Sequence, residues 1–276
     1  MNISFLKSGG RWISEVLIFI CTLLIMIPLL LILLGAFKNG REAAELSFTF
    51  PSIWVFSNFQ SLLGNGAFIH SIFNGIAYTS IGVAISLLIN AMCAYLLARR
   101  VSKLTILIYY TFIAGLILPP FIITQIRVMQ NLHLMDTFIG AILIYVCASI
   151  PFSIFMMTGF IRNIPIALDE AAFVDGSSAS RTFFSIIVPL LKPVAVTLGV
   201  FVAIGIWNDF QTPLYYMRTS THYPITMWLY KNVSQHSTEW NLVFASMTIA
   251  LLPMVVVYAL AQKYIVEGLT AGAVKG

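Results

Sequence analysis

Charge is scarce in this chain. Asp, Glu, Lys and Arg together make up 9% of its 276 residues, where a soluble domain carries about 25%. A water-facing surface cannot be built from so few charges. Apolar residues reach 59%, above the usual range of about 45–50%. Lipid is therefore the main solvent.

Cysteine is nearly absent as well. Cys21, Cys93 and Cys147 stand singly in three different apolar runs. An odd number without short spacings argues against a disulfide frame and a cysteine-rich metal site. Small apolar packing residues are the reading that remains. Two chemical motifs are also missing: the phosphate loop G-x-x-x-x-G-K-[ST] and the zinc helix H-E-x-x-H. The histidines His70, His133, His222 and His236 all fall outside the apolar runs, and their spacing fits no metal site. An intramembrane hydrolase therefore lacks its base or metal, and the metal set is expected to be none.

What the chain has is length of apolar sequence. Uncharged runs cover Val16–Phe37, Ile72–Ala98, Leu104–Ile126, Thr137–Ile161 and Trp240–Gln262. A sixth, Pro193–Asn208, meets Asp209 and continues to Met217. A helix needs about 20 residues to cross a hydrocarbon core of about 30 Å. The runs show no strand-type alternation and are too long for barrel strands. The expectation is an all-α membrane protein with six transmembrane helices. Lys7 and Arg11 precede the first run. That run is too long for a signal-peptide core and no small-x-small site follows it, so an uncleaved helix is expected.

The basic residues choose the orientation. With both termini inside, ten of the fifteen Lys and Arg face the cytoplasm: Lys7, Arg11, Arg99, Arg100, Lys103, Arg162, Arg181, Lys192, Lys263 and Lys275. The outer segments carry Lys38, Arg41, Arg127, Arg218 and Lys231. The positive-inside rule then puts both termini in the cytoplasm. The same bias accounts for the net charge of +5, and no nucleic-acid partner is needed to explain it.

Two outer segments stand out. Lys38–His70 is long and turn-rich, and is expected to hold turns and short helices. Pro213–Glu239 carries Tyr215, Tyr216, Tyr223, Trp228 and Tyr230. Such aromatics serve either as interface anchors or as a face for a ligand or partner. Pro28, Pro119-Pro120, Pro151 and Pro253 fall inside the runs and are expected to kink them.

The inner segment 162–192 is polar and helix-prone. Asn163-Ile164-Pro165 suits a helix start, with Pro in the first turn. Asp169 and Glu170 follow where negative charge favours a helix N-terminus. Asp175-Gly176 is a stop and turn signal. A second helix is expected over Ser177–Ser185, after which Pro189 and Pro193 redirect the chain. An ordinary interfacial helix would be rich in Lys and Arg. This one carries Asp169, Glu170 and Asp175 against Arg162 and Arg181. Docking to a protein fits that charge better than an anionic leaflet does.

The spacing here, Glu170-Ala171-Ala172, then Gly176, Ile186 and Pro189, resembles the E-A-A-x3-G-x9-I-x-L-P signature of permease subunits of binding-protein-dependent ATP-binding-cassette importers. Val188 takes the Leu place. Pro151-Phe152, Ile164-Pro165 and Trp207-Asn208-Asp209-Phe210 resemble features of the carbohydrate importers. The tail from Gly268 to Gly276 resembles that of the smaller, maltose-type permease. The resemblance covers essentially the whole chain.

That resemblance implies a type I importer transmembrane fold with a cytoplasmic coupling helix in the inner membrane. It divides the chain into a tail and first helix (1–40), an external loop (41–70), a core of five helices (71–265) holding the coupling loop 162–192, and a cytoplasmic tail (266–276). Glu170, Ala171, Ala172, Asp175 and Gly176 would couple to an ATPase. Glu170 would pair with a basic residue in the ATPase groove, and the two alanines would permit close packing. Trp207, Asn208 and Asp209 would border the translocation path, although packing explains Trp207 and Asn208 equally well and a place at the headgroup level explains Asp209 equally well. Tyr223, Trp228 and Tyr230 would touch an extracellular sugar-binding protein. The implied partners are a second permease and two ATPase subunits. ATP and Mg would sit on those subunits, with no cofactor in this chain. Glycerol phosphate is the alternative solute, and an ion-coupled secondary carrier the alternative class. A phosphate should recruit Arg or Lys, and a carrier mid-membrane ionisable groups; of these the runs show only Asp209.

Overall fold

The computed structural model describes residues 3–235 and 239–273, with side chains described over 12–232 and 239–262. All regular structure among the described residues is helical. The chain forms two compact units: Met1–Ile69 with Leu229–Leu252, and His70–Trp228 with Pro253–Gly276.

The first unit opens with α1 (Ile3–Ala36). Its described apolar side chains, such as Phe19 and Leu24, are largely exposed, as a helix facing lipid or another protein requires. Gly35 lets α1 meet the Phe244 ring, since a Cβ there would overlap the ring. The expected turns and short helices follow, as α2 (Gly40–Ala44) and α3 (Ser57–Leu63). Asn39 caps α2 by accepting from the Glu42 N–H. Asn58 ties this loop to the end of α1: its amide donates to the Ala36 and Lys38 carbonyls, each at 2.9 Å. Lys38 is buried, and its ammonium donates to the Ser47 carbonyl at 2.7 Å.

The second unit holds most of the long helices. The elements are α4 (Gly66–Arg99), α5 (Lys103–Ala114), α6 (Ile122–Asn131), α7 (Phe138–Arg162) and α8 (Ala167–Val174). Then come α9 (Ala179–Thr182), α10 (Val188–Leu190), α11 (Lys192–Trp207) and α12 (Gln211–Tyr216). α13 (Ile225–Gln235) and α14 (Trp240–Ala273) have residues in both units.

Two apolar clusters form this unit's core. One joins Ala94 of α4, Ile154, Met157 and Ile161 of α7, and Ile187 and Leu198 beyond the polar segment. The other joins Tyr78, Ala141, Tyr145, Ile206 and Tyr223. Helices approach through small residues: a Cβ on Gly82 would meet Ile206 at 2.7 Å.

α1, α4, α7 and α14 each have length and apolarity enough to cross a membrane. The third run is not one helix. α5 stops at Ala114 and α6 begins at Ile122. Pro119 and Pro120 supply no N–H, and a residue before proline is driven towards extended backbone. Gly115 also closes on Pro151 of α7, with 2.9 Å from its virtual Cβ to the Pro151 ring. The run from Pro193 to Met217 also departs from a single helix. α11 ends at Trp207, and a new helix starts at Gln211. Before α11 the backbone widens into a π turn over Phe183–Ile187. The helix Ala179–Leu190 then meets α11 at 76°. Pro189 and Pro193 sit around that bend, where the expected redirection falls.

Candidate functional site

α8 is held to its own unit by one ionic anchor. The Arg99 guanidinium, at the end of α4, lies 2.7 Å from the Asp169 carboxylate. Tyr95, one turn earlier, donates its hydroxyl to the other Asp169 oxygen. Arg99 also donates to the Ile164 carbonyl at 3.1 Å and the Ile161 carbonyl at 3.4 Å. Those are the last carbonyls of α7 and the turn after it, which a helix end leaves without intrahelical partners. One arginine thus closes α7 and fixes the start of α8. Both charged side chains are about one-seventh exposed, 14% and 15%, so the pair is screened less than a surface pair.

With Asp169 turned inward, the next residues turn outward. Glu170, Ala171, Asp175 and Gly176 are exposed. Ala172 is not: it is 6% exposed and packs against its own chain. The expected two-alanine docking surface is therefore one alanine wide, because adjacent residues on a helix point about 100° apart. Phe173 and Val174 take the place of the second, at 79% and 83% exposed. With Tyr95, Arg99, Ile166 and Glu170 they line a shallow groove.

Gly176 ends the helix in the left-handed region, at φ +75°. The Ser177 N–H donates to the Ala172 carbonyl at 2.9 Å, and the Gly176 N–H to the Phe173 carbonyl at 3.0 Å. This paired closure needs a residue free to take positive φ. Ser178 then starts α9 by accepting from the Arg181 N–H. The second helix expected over Ser177–Ser185 is this short α9, continued by the π turn.

A cavity of about 430 Å³ opens in the same unit between α7, α11 and α12. Asp209 is in its wall; Trp207 and Asn208 are not. Trp207 is 4% exposed, and a Cβ on Gly75 would sit 3.2 Å from its ring. Asn208 is the exposed residue that closes α11. Asp209 begins α12 by accepting from the Gln211 N–H at 3.0 Å and the Thr212 N–H at 3.1 Å.

The outer aromatics divide. Tyr223 is 5% exposed and donates to the Arg218 carbonyl, so it belongs to the core and cannot form a protruding contact. Trp228 is half-buried and Tyr230 is exposed. Asp136 gathers the turn before them. It accepts from the Arg218 and Thr219 N–H groups at 2.8 and 3.1 Å and from the Thr219 hydroxyl. Its carboxylate lies 3.2 Å from His222 Nδ1. Burial alone would raise its pKa, but the bonds from Thr219, Arg218 and His222 outweigh that and hold it well below the usual carboxylate range. His236, and residues 274–276 of the tail, lie outside the described residues.

The sequence alone singles out neither Tyr95 nor Phe173, and it puts Val174 on an apolar face of the helix without a role. Arg99 was visible as a charge at the end of a run and was read for topology alone.

Residues 90–270 match the family model described as "Binding-protein-dependent transport system inner membrane component". The chain is 32% identical over 276 residues to a putative ABC transporter permease protein, ORF2, of Caldicellulosiruptor sp. (strain Rt8B.4), covering 99% of this chain and 100% of that one. It is 31% identical to the melibiose/raffinose/stachyose import permease protein MelC of Bacillus subtilis (strain 168), covering 91% of each. A solved bacterial ABC transporter involved in the import of the acidic polysaccharide alginate shares the fold. Its TM-score is 0.84 at 24% identity, covering 96% of this chain and 98% of that one.

Proposed function

This chain belongs to the binding-protein-dependent transport inner membrane component family, and from that premise we propose that it is one of two permeases in an ATP-driven saccharide importer. The exposed face of α8 carries the proposal. A helix that presents Glu170, Phe173 and Val174 to water while fastened by Arg99 and Asp169 is a handle rigidly joined to the spans. An ATPase subunit grips that handle from the cytoplasm, where both termini also lie. A second permease brings its own handle to a second ATPase subunit. Closure of the ATPase pair around ATP then carries both handles together and turns the spans between inward-facing and outward-facing. This chain contributes no nucleotide site of its own. An extracellular binding protein delivers the saccharide, with Trp228 and Tyr230 near its landing surface. Sugar is the cargo by kinship with sugar permeases such as the melibiose/raffinose/stachyose protein.

The test is reconstitution of the chain with its second permease, ATPase subunits and binding protein in liposomes. Saccharide uptake that needs ATP supports the proposal. Uptake of saccharide without nucleotide contradicts it.

A further inference from the structure

The cavity between α7, α11 and α12 has the size of a ligand site. Its volume of about 430 Å³ falls in the range of about 300–1,000 Å³ typical of small-molecule pockets. Its wall is mainly apolar and aromatic. Phe152 and Phe201 meet edge to face at 5.9 Å, and Tyr215 and Tyr216 also line it.

A few polar groups interrupt this wall. Ser153 is 1% exposed, and its hydroxyl has no hydrogen-bond partner among the described residues. A buried hydroxyl in that state costs about 1–3 kcal/mol, and a rotamer change that brings it to the cavity surface would let a ligand oxygen recover this. Gln125 accepts from the Tyr216 hydroxyl at 2.8 Å, which turns its amide nitrogen to donate elsewhere. Asp209 puts a carboxylate in the wall. Its oxygens serve the Gln211 and Thr212 N–H groups, and a carboxylate has about four acceptor positions. None of the described residues lining the cavity is Lys, Arg or His.

We infer that this cavity is a saccharide subsite held by this chain itself, and that it accepts neutral sugar rings and rejects acidic ones. The inference rests on the saccharide reading above. Aromatic faces suit the C–H faces of a pyranose, and Ser153, Gln125 and Asp209 suit its hydroxyls. A uronate ring would bring its carboxylate against Asp209 between apolar walls, with no cation to offset the repulsion.

The experiment uses the assembled importer, both permeases with the ATPase subunits, in detergent and without the binding protein. Equilibrium dialysis measures radiolabelled raffinose and maltotriose as neutral probes and trigalacturonate as the acidic one. ATP-dependent uptake of the same probes is measured in liposomes. At least one neutral probe binds, and trigalacturonate binds more weakly. Gly205→Leu fills the cavity, where a Cβ meets nothing within 4 Å among the described residues; co-purification of all subunits checks that assembly is kept. Neutral binding then falls about tenfold or more, as loss of one buried hydrogen bond or contact already predicts. Ser153→Ala lowers it several-fold. Asp209→Asn keeps an acceptor for the α12 N–H groups and narrows the gap between neutral and acidic probes by about tenfold.

Unchanged neutral binding in both Gly205→Leu and Ser153→Ala importers overturns the subsite. So does trigalacturonate binding as tightly as the neutral probes. Uptake of a neutral probe with no binding in dialysis also overturns it and leaves the saccharide reading standing. Neither binding nor uptake of either neutral probe overturns both together.

Discussion

Arg99 and Asp169 meet at 2.7 Å and thereby bind the start of α8 to the end of α4. The same guanidinium bonds the Ile161 and Ile164 carbonyls, so a single side chain spans three elements. A force applied to α8 is passed to α4 and α7 through bonds that cannot all stretch independently.

Arg99→Ala strands the Asp169 charge in a mostly buried place. It should lower stability by about 1–3 kcal/mol, measured as thermal unfolding of the solubilised chain. Arg99→Lys should recover only part, because an ammonium cannot reach the carboxylate and both carbonyls at once. A double-mutant cycle with Asp169→Ala should return a coupling of about 1–3 kcal/mol. Additive losses would show that the pair fastens nothing.

Phe173 and Val174 are predicted to act at the ATPase and not in the fold. Phe173→Ser with Val174→Ser removes two exposed apolar groups. It should leave membrane level and unfolding temperature within experimental error and reduce co-purification of the ATPase about tenfold or more. Glu170→Lys should give the same pattern by reversing the charge of the docking face.

Gly176 should tolerate size better than strain. Among the described residues nothing beyond its chain neighbours lies within 4 Å of a Cβ placed there, while its φ is +75°. Gly176→Asn should therefore retain most uptake, because Asn accepts the left-handed region at small cost. Gly176→Val should cost about 1–2 kcal/mol locally, distort the end of α8 and uncouple ATP hydrolysis from uptake. Uptake and hydrolysis are measured side by side, and equal behaviour of the two variants would refute the backbone account.

Asp136 should hold the outer turn in its ionised form. Its folded pKa is depressed, so its contribution is present above the ordinary carboxylate value of about 4. It is lost only as pH falls through the lower folded value. Asp136→Asn should lower stability at pH 7 and flatten its dependence below pH 5 or so, measured by unfolding across a pH series. A pH profile identical to the parent chain would count against this role.

Helix content and the position of α8 were legible because both are local. Apolar runs read as helices, and Asp175-Gly176 marked the end of α8 to the residue. Long-range pairing was not legible. Nothing near Arg99 announces Asp169, and the charge was assigned to topology alone. Ala172 and Tyr223 were misread for a similar reason: which face of a short helix or turn is buried depends on what folds over it. Pro119-Pro120 was seen as a kink, but the added closeness of Gly115 to Pro151 helps to turn a kink into a break. Asp209 reads from sequence as a charge beside a wet cavity or at the headgroup level with equal weight, and the structure puts it in a cavity wall and at the start of α12.

The central claim is that α8 faces the cytoplasm and is the ATPase handle. Ser180→Cys, in a chain with Cys21, Cys93 and Cys147 changed to Ala, places one thiol beside it on exposed α9. A membrane-impermeant maleimide should label it in inverted vesicles, should fail to label it in intact cells, and should be blocked when the ATPase subunits are bound. Labelling of intact cells from outside would contradict the account.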